Sequence, residues 1–256
     1  MAEVSRTPTS TIVQGVAFAL HAAALVATPL RRRGKRAGLA SLVVGGLAAA
    51  TTAASARRWG AARTAVAFGA VGAGTTTIEH VGAMRGVPFG RYTYTGELRP
   101  TVRGVPAIVP LAWFAMAVPA REAAHAALGT RSSSWRRIGL GAAYLTAWDL
   151  FLDPQMVGEG YWRWARRGRY RGIPLSNFAG WLVVSAAVMA VLEAALPVRA
   201  GERPEPTLVG EYAWMATMET VGFARYFDDR LVATVGGAAM VPAALAGVRG
   251  WWRSRA

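Results

Sequence analysis

The stretch Ile138-Gly-Leu-Gly-Ala-Ala-Tyr-Leu-Thr-Ala-Trp-Asp-Leu-Phe-Leu-Asp-Pro154 is an apolar run that ends in two aspartates. The arrangement recurs where Glu79 follows the run Thr64–Ile78 and where Glu219 follows Tyr212–Met218. An ionisable side chain is costly inside a membrane span, so each of these acids is by default a candidate for a functional site. The pattern predicts an all-α, polytopic helical bundle in a membrane, with its acidic groups toward one face.

The composition supports a membrane protein. Hydrophobic residues make up 53% of the 256 residues and charged residues 17%, which is less charge than soluble domains carry. The net charge of +15 fits either nucleic acid or anionic lipid as a partner. Short arginine clusters separate the apolar runs, and this spacing favours membrane loops over nucleic-acid binding. They are Arg31-Arg32-Arg33, Arg57-Arg58, Arg136-Arg137 and Arg166-Arg167. The absence of cysteine excludes disulfides and thiolate metal sites.

Hydropathy predicts seven or eight spans in a single membrane domain covering residues 1–256, since a span needs about 20 mostly apolar residues. The fifth segment is short, and Glu211 and Glu219 interrupt the seventh. The segments are Ile12–Leu30, Gly38–Ala56, Thr64–Met84, Val105–Leu128, Ile138–Phe151, Pro174–Leu196, Leu208–Tyr226 and Leu231–Val248.

The loops predict a topology. The polar segment Met1–Ser10 lacks a basic region, and basic residues follow the first span, which indicates a retained span with its trailing end in the cytoplasm. Even numbers of spans separate the loops Arg85–Gly104, Asp153–Gly172 and Phe227–Arg230, so these three emerge on one face. That face is predicted to be the cytoplasmic side of the cell membrane, with both termini outside if there are eight spans.

Asp149 and Asp153 are four residues apart, so they share a face if the helix continues through them. Pro154 is expected to end that helix soon afterwards. Two carboxyl groups this close titrate as a pair, and a protonated one beside apolar side chains can act as a general acid. Alternatively, they bond to arginine or backbone groups of the neighbouring loop. Glu79 with His80 is the second candidate, and a plain polar contact between helices explains that pair equally well.

Aromatic side chains are dense on the same face. They are Tyr92, Tyr94, Trp113, Trp148, Trp162, Trp164 and Trp181. An interfacial aromatic belt explains several of them, whereas a lining for a long polyene, or for a transient carbocation, is the functional interpretation. Tyr92 and Tyr94 alternate in an extended loop, and Asn177 lies four residues before Trp181, so each pair is expected to point one way.

A metal site is a further alternative. The pair Asp149 and Asp153 could hold Mg²⁺ against a diphosphate, as in membrane prenyltransferases. Such enzymes have a second Asp-rich motif, and Phe227-Asp-Asp-Arg230 is a poor substitute for it. The chain has no phosphate-binding glycine loop, no di-iron histidine box and no dinucleotide fingerprint, which disfavours ATPases, desaturases and nicotinamide enzymes.

Several ordered motifs resemble the membrane carotenoid-biosynthesis family, which includes carotenoid hydratases. The resemblance covers roughly residues 75–196. Its motifs are Gly86-Val-Pro-Phe-Gly-Arg-Tyr-Thr-Tyr94, Gly104-Val-Pro106, Pro110-Leu-Ala-Trp113, Asp149-Leu-Phe-Leu-Asp-Pro154, Tyr161-Trp-Arg-Trp164, Tyr170-Arg-Gly-Ile-Pro174 and Asn177-Phe-Ala-Gly-Trp181.

The resemblance implies addition of water to a terminal double bond of an acyclic carotenoid, without a cofactor. Physical suitability then assigns Asp149 or Asp153 as proton donor, Glu79 as the base that positions water, and His80 with the aromatic set and Asn177 as substrate contacts. A Mg²⁺-dependent prenyltransferase or carotenoid elongase and a non-catalytic carotenoid-binding protein are the alternatives. Expected partners are a carotenoid, membrane lipid and other enzymes of the carotenoid pathway.

Overall fold

The computed structural model describes residues 8–255, and within them the chain forms eight α-helices and four short strands. The helices are α1 (Pro8–Ala27), α2 (Ala37–Trp59), α3 (Ala61–Arg85), α4 (Ile108–Leu128), α5 (Ser134–Glu159), α6 (Leu175–Ala195), α7 (Pro206–Arg225) and α8 (Arg230–Arg253). The strands are β1 (Tyr92–Tyr94), β2 (Thr101–Val102), β3 (Val105–Pro106) and β4 (Trp162–Trp164). The polar N-terminal segment used to predict topology lies largely outside the described residues.

Helix α4 is the centre of the bundle, because every residue from Ala112 to Ala126 is buried. Many of these residues are alanine, whose small side chain lets neighbouring helices approach closely. Glycines of α8 extend this contact: a Cβ at Gly250 would overlap the carbonyl of Ala126, and one at Gly247 would lie 3.2 Å from Ala123. The core is therefore built from small residues around one buried helix.

The all-helical prediction is confirmed, since each of the eight predicted segments overlaps one helix. By length and composition, four helices of the described chain could cross a membrane: α1, α2, α6 and α8. The others are interrupted by polar groups that the bundle buries, such as Arg121 and Glu122 in α4. The molecule is a helical membrane protein, and the number of seven or eight spans stays a prediction.

The fifth helix differs from its predicted span. Instead of stopping near Pro154, α5 continues for five residues beyond it to Glu159 and ends at Gly160, which has a left-handed φ of 80°. The proline removes one backbone donor, and burial of α5 against its neighbours outweighs that loss. Asp149 and Asp153 therefore lie well inside a regular helix.

Three loops meet at one end of the bundle. Strand β1 pairs antiparallel with β4, with Tyr92 opposite Trp164 and Tyr94 opposite Trp162. Arg171 forms a 2.6 Å ion pair with Asp229, which joins the loop before α8 to the same end. The predicted common face of these loops is confirmed.

The opposite end is closed by buried ion pairs. Arg121 of α4 and Arg137 of α5 donate to the two carboxylate oxygens of Glu193 of α6, at 2.8 and 2.6 Å. Glu193 therefore pairs at the far end of α6, away from the loops described above.

Candidate active site

An apolar cavity lies beneath the two-stranded β1–β4 sheet. Its walls come from helices α2 to α6 and from the β1–β4 sheet. Ten of the twelve side chains predicted from the sequence line it: Glu79, Tyr92, Tyr94, Trp113, Trp148, Asp153, Trp162, Trp164, Asn177 and Trp181. We call it the active-site cavity.

Glu79 is the acceptor at the centre of one wall. Tyr94 donates to its Oε2 at 2.9 Å, Tyr92 donates to the same oxygen, and Trp113 Nε1 donates to Oε1 at 3.0 Å. The alternation of the two tyrosines in β1 brings both hydroxyl groups to this carboxyl group. Three donors hold Glu79 in a fixed orientation toward the cavity.

The two tyrosines remain proton donors. Burial raises the pKa of Tyr92 and of Tyr94 well above the ordinary value, and the negative charge of Glu79 raises both further. A neutral phenol can donate one hydrogen bond, so each tyrosine can satisfy Glu79 over the whole physiological pH range.

The two aspartates lie on α5 and share one partner. The side-chain Nδ2 of Asn177 donates to Oδ2 of Asp149 at 2.7 Å and to Oδ2 of Asp153. Trp162 Nε1 donates to Oδ1 of Asp153 at 2.7 Å. Only Asp153 lines the cavity, whereas Asp149 is completely buried behind it and its Oδ1 has no partner among the described residues.

Stacked aromatic rings form the rest of the wall. The rings of Trp113 and Trp181 are parallel with centroids 3.9 Å apart, and Trp148 meets Trp181 edge-on at 6.1 Å. In the β1–β4 sheet, Tyr92 packs on Trp164 and Tyr94 packs on Trp162. Such a wall is complementary to a flat polyene and, through the faces of its rings, to a cation.

Two glycines explain why the segment that leads into strand β1 lies so close to the helices. Phe89 packs against Gly82 of α3 and Gly180 of α6, where an added Cβ would lie 2.9 Å and 3.0 Å from the Phe89 ring. At Gly180 a Cβ would also come within 2.7 Å of the Pro88 carbonyl oxygen. These close approaches bring the following strand β1 over Glu79.

His80 is the predicted site residue that the structure places elsewhere. Its Nδ1 lies 2.9 Å from the carbonyl oxygen of Arg103, and the ring does not line the cavity. Because Glu79 and His80 are consecutive on a helix, they point in directions about 100° apart. The structure thus places His80 in a contact between α3 and the loop before β3, and its role as a substrate contact stays a prediction.

Other lining residues were not predicted. Ala40 and Val44 come from α2, outside the stretch of ordered motifs, and Met156 comes from the part of α5 beyond Pro154. Leu152 belongs to a quoted motif in which only the aspartates were given a role. Phe89 belongs to a quoted motif, yet only its packing between two glycines reveals its part in the site. Apolar side chains of this kind carry no sequence signal that separates a cavity wall from an ordinary core.

The site does not offer a clear place for a metal ion. Among residues 8–255, no group of three or more histidine, aspartate or glutamate side chains is arranged to hold one. Between the two aspartates lies an amide nitrogen of Asn177, a hydrogen-bond donor where a cation would need an oxygen ligand.

A sequence model of a family described as "Carotenoid biosynthesis protein" matches residues 37–249, which is most of the chain. The chain belongs to the carotenoid biosynthesis protein family. A bisanhydrobacterioruberin hydratase from Haloarcula japonica is similar to it, with 32% identity over 118 residues. That alignment covers 45% of this chain and 40% of the relative, so the match spans less than half the length of this relative. No solved structure matches the chain.

Proposed function

We propose that this protein is a carotenoid hydratase, which adds water to a terminal carbon–carbon double bond of an acyclic carotenoid end. The observation that carries the proposal is that Asp153 of α5 and Glu79 of α3 line the same apolar, aromatic cavity. Family membership and the hydratase named above support a carotenoid as the substrate.

Asp153 is the proposed proton donor. Two adjacent buried carboxyl groups avoid carrying two negative charges, so the Asp149–Asp153 pair is expected to hold a proton. Transfer of that proton from Asp153 to the inner, less substituted carbon of the terminal trisubstituted alkene forms a carbon–hydrogen bond and leaves a tertiary cation on the outer carbon. The electron pair of the double bond becomes the new bond, and the aspartate pair takes up the negative charge.

Glu79 is the proposed base that completes the reaction. A water molecule held by its carboxylate attacks the tertiary cation through oxygen, and Glu79 removes a proton from the adding water. The product is a tertiary alcohol, and proton exchange with solvent restores both acids. No redox step is involved, so the proposal needs no redox cofactor. The stacked pair Trp113 and Trp181 would stabilise the cation before water adds.

The test is mass spectrometry of carotenoids from a lycopene-producing host grown in H₂¹⁸O, with and without the gene. The expected result is a new carotenoid that is heavier by one labelled water molecule. A matched strain that carries Asp153→Asn and Glu79→Gln controls for pigment changes caused by expression of a membrane protein. An unlabelled product, or no product from any acyclic carotenoid supplied, would refute hydration.

The same experiment separates the two alternatives. A prenyltransferase would require a prenyl diphosphate and Mg²⁺, its product would gain carbon rather than water, and EDTA would abolish its activity. A binding protein would co-purify with carotenoid of unchanged mass. The amide of Asn177 between the two aspartates favours the hydratase over the transferase.

A further inference from the structure

Two further cavities adjoin the active-site cavity. The second cavity shares Trp148, Leu152 and Met156 with the active-site cavity and extends to Glu219 of α7. A polar vestibule at the loop face shares Arg36, Gln155 and Glu159 with the second cavity. A series of adjoining spaces therefore leads from the loop surface toward the acids of the active site.

Polar groups without protein partners mark this series. Glu219 is 6% exposed, and its carboxyl group makes no hydrogen bond or ion pair within residues 8–255. Glu159 bonds Arg36 through Oε1 at 2.5 Å, but its buried Oε2 has no partner in the described chain. At the junction with the active-site cavity, Nε1 of Trp148 is also buried without a hydrogen-bond partner in the described chain. A protein interior does not normally leave such groups unsatisfied.

Water is the molecule that these groups fit. It can donate to the carboxylates of Glu159 and Glu219 and accept from Trp148, and a buried water typically bonds about three otherwise unsatisfied polar groups. The spacing of polar side chains along apolar walls would allow a file of waters and exclude bulk solvent. A reaction that forms a tertiary cation in an apolar cavity requires such a controlled supply.

We propose that the vestibule and the second cavity form the route by which water reaches the active site, and that Glu219 and Gln155 are positioning residues for that water. The inference rests on the proposed hydratase function and deepens it by assigning the source of the second substrate. The Arg36–Glu159 ion pair stands at the outer junction of the route, and Trp148 at the inner one.

A residue that delivers water changes the ratio of the reaction products, whereas a residue that only supports the fold does not. Once a proton from Asp153 has formed the cation, water can add to give the alcohol, or the cation can lose a proton from a neighbouring carbon and return to an alkene. In D₂O the second outcome leaves deuterium in the alkene without adding oxygen. The ratio of alcohol to deuterated alkene therefore reports water delivery separately from cation formation.

The experiment measures both products in D₂O for the wild-type protein, Glu219→Leu and Gln155→Met, with Glu219→Gln as the conservative variant. Glu97→Gln, at an exposed residue that lines none of the three spaces, is the matched control. Both apolar variants are expected to lower the ratio by about tenfold, the effect of losing one hydrogen bond to a bound water. Glu219→Gln and Glu97→Gln should stay near the wild-type ratio.

The possible failures are distinguishable. If the wild-type protein makes alcohol and both apolar variants keep its ratio, the route is overturned and the hydratase stands. If a variant with the wild-type unfolding temperature loses both products, its residue acts in proton transfer and not in water delivery, which also overturns the inference. If the wild-type protein forms neither alcohol nor deuterated alkene, the hydratase proposal itself fails, and the route with it.

Discussion

The side-chain amide of Asn177 in α6 donates a 2.7 Å hydrogen bond to the carboxyl group of Asp149 in α5. Because the same nitrogen also donates to Asp153, one residue holds two carboxyl groups of a neighbouring helix together. Only one of the two, Asp153, then lines the cavity. The two aspartates are therefore not equivalent, although their sequence context alone does not distinguish them.

This difference predicts unequal effects of substitution. Asp153→Asn should lower the rate of alcohol formation by about 10²–10⁴-fold, because it removes the group that donates the proton. Asp149→Asn should cost less, since Asp149 acts through its shared partner. Initial rates measured by mass spectrometry on membranes check this, with the exposed Asp228→Asn as control. Equal losses at both positions would contradict the assignment of Asp153 as donor.

The tyrosines that contact Glu79 predict a second effect. Tyr92→Phe and Tyr94→Phe each remove one hydrogen bond to the proposed base, and each should lower the turnover rate by about tenfold, with a larger loss in the double variant. Rates for the single and double variants, compared on the same carotenoid, measure the coupling between the two hydroxyl groups. Wild-type rates in the double variant would show that Glu79 needs no orientation by them.

The same phenols make stability depend on pH at the alkaline end. Their pKa is raised in the folded protein, so the unfolded chain loses these protons first as the pH rises. The stabilisation is fully present below the unfolded value of about 10 and is lost as the pH rises from there toward the folded values. The unfolding temperature should fall more steeply above that pH in the wild-type protein than in the double phenylalanine variant.

Much of the site could be predicted from the sequence because its chemistry depends on local spacing. The interval between Asp149 and Asp153 holds on any helix, and the alternation of Tyr92 and Tyr94 holds on any extended strand. Apolar runs likewise predict seven or eight helices, because burial or contact with lipid requires apolar side chains whatever the packing partner.

What could not be predicted depends on contacts between distant segments. Pro154 has a strong tendency to end a helix, and only the packing around α5 shows that it does not. His80 is next to Glu79 in sequence, but helical geometry turns it toward Arg103. Ala40 and Val44 enter the cavity wall because α2 packs beside α4, and no local pattern in α2 records that contact.

The absence of cysteine allows a direct test of orientation. Single cysteines at exposed Arg166, in the loop before α6, and at exposed Arg131, between α4 and α5, mark the two ends of the bundle. If the loop face is cytoplasmic, a membrane-impermeant maleimide should label Arg131→Cys in intact cells and Arg166→Cys only after the cells are opened. The reversed pattern would place the active-site loops outside.

The close approach of α6 to the segment before β1 predicts an effect of adding a single methyl group at Gly180. In Gly180→Ala the new Cβ would lie 2.7 Å from the backbone oxygen of Pro88, and a backbone atom cannot yield as a flexible side chain can. Overpacking of this kind costs about 1–3 kcal/mol, and the shift it forces would move Tyr92 and Tyr94 away from Glu79. Turnover should therefore fall together with the unfolding temperature.

The matched change Gly139→Ala lies in open space on α5 and should raise stability by up to about 1 kcal/mol, as expected for alanine in a helix, with no loss of activity. If both variants behaved alike, the close contact between α6 and the segment before β1 would not be what positions the site residues.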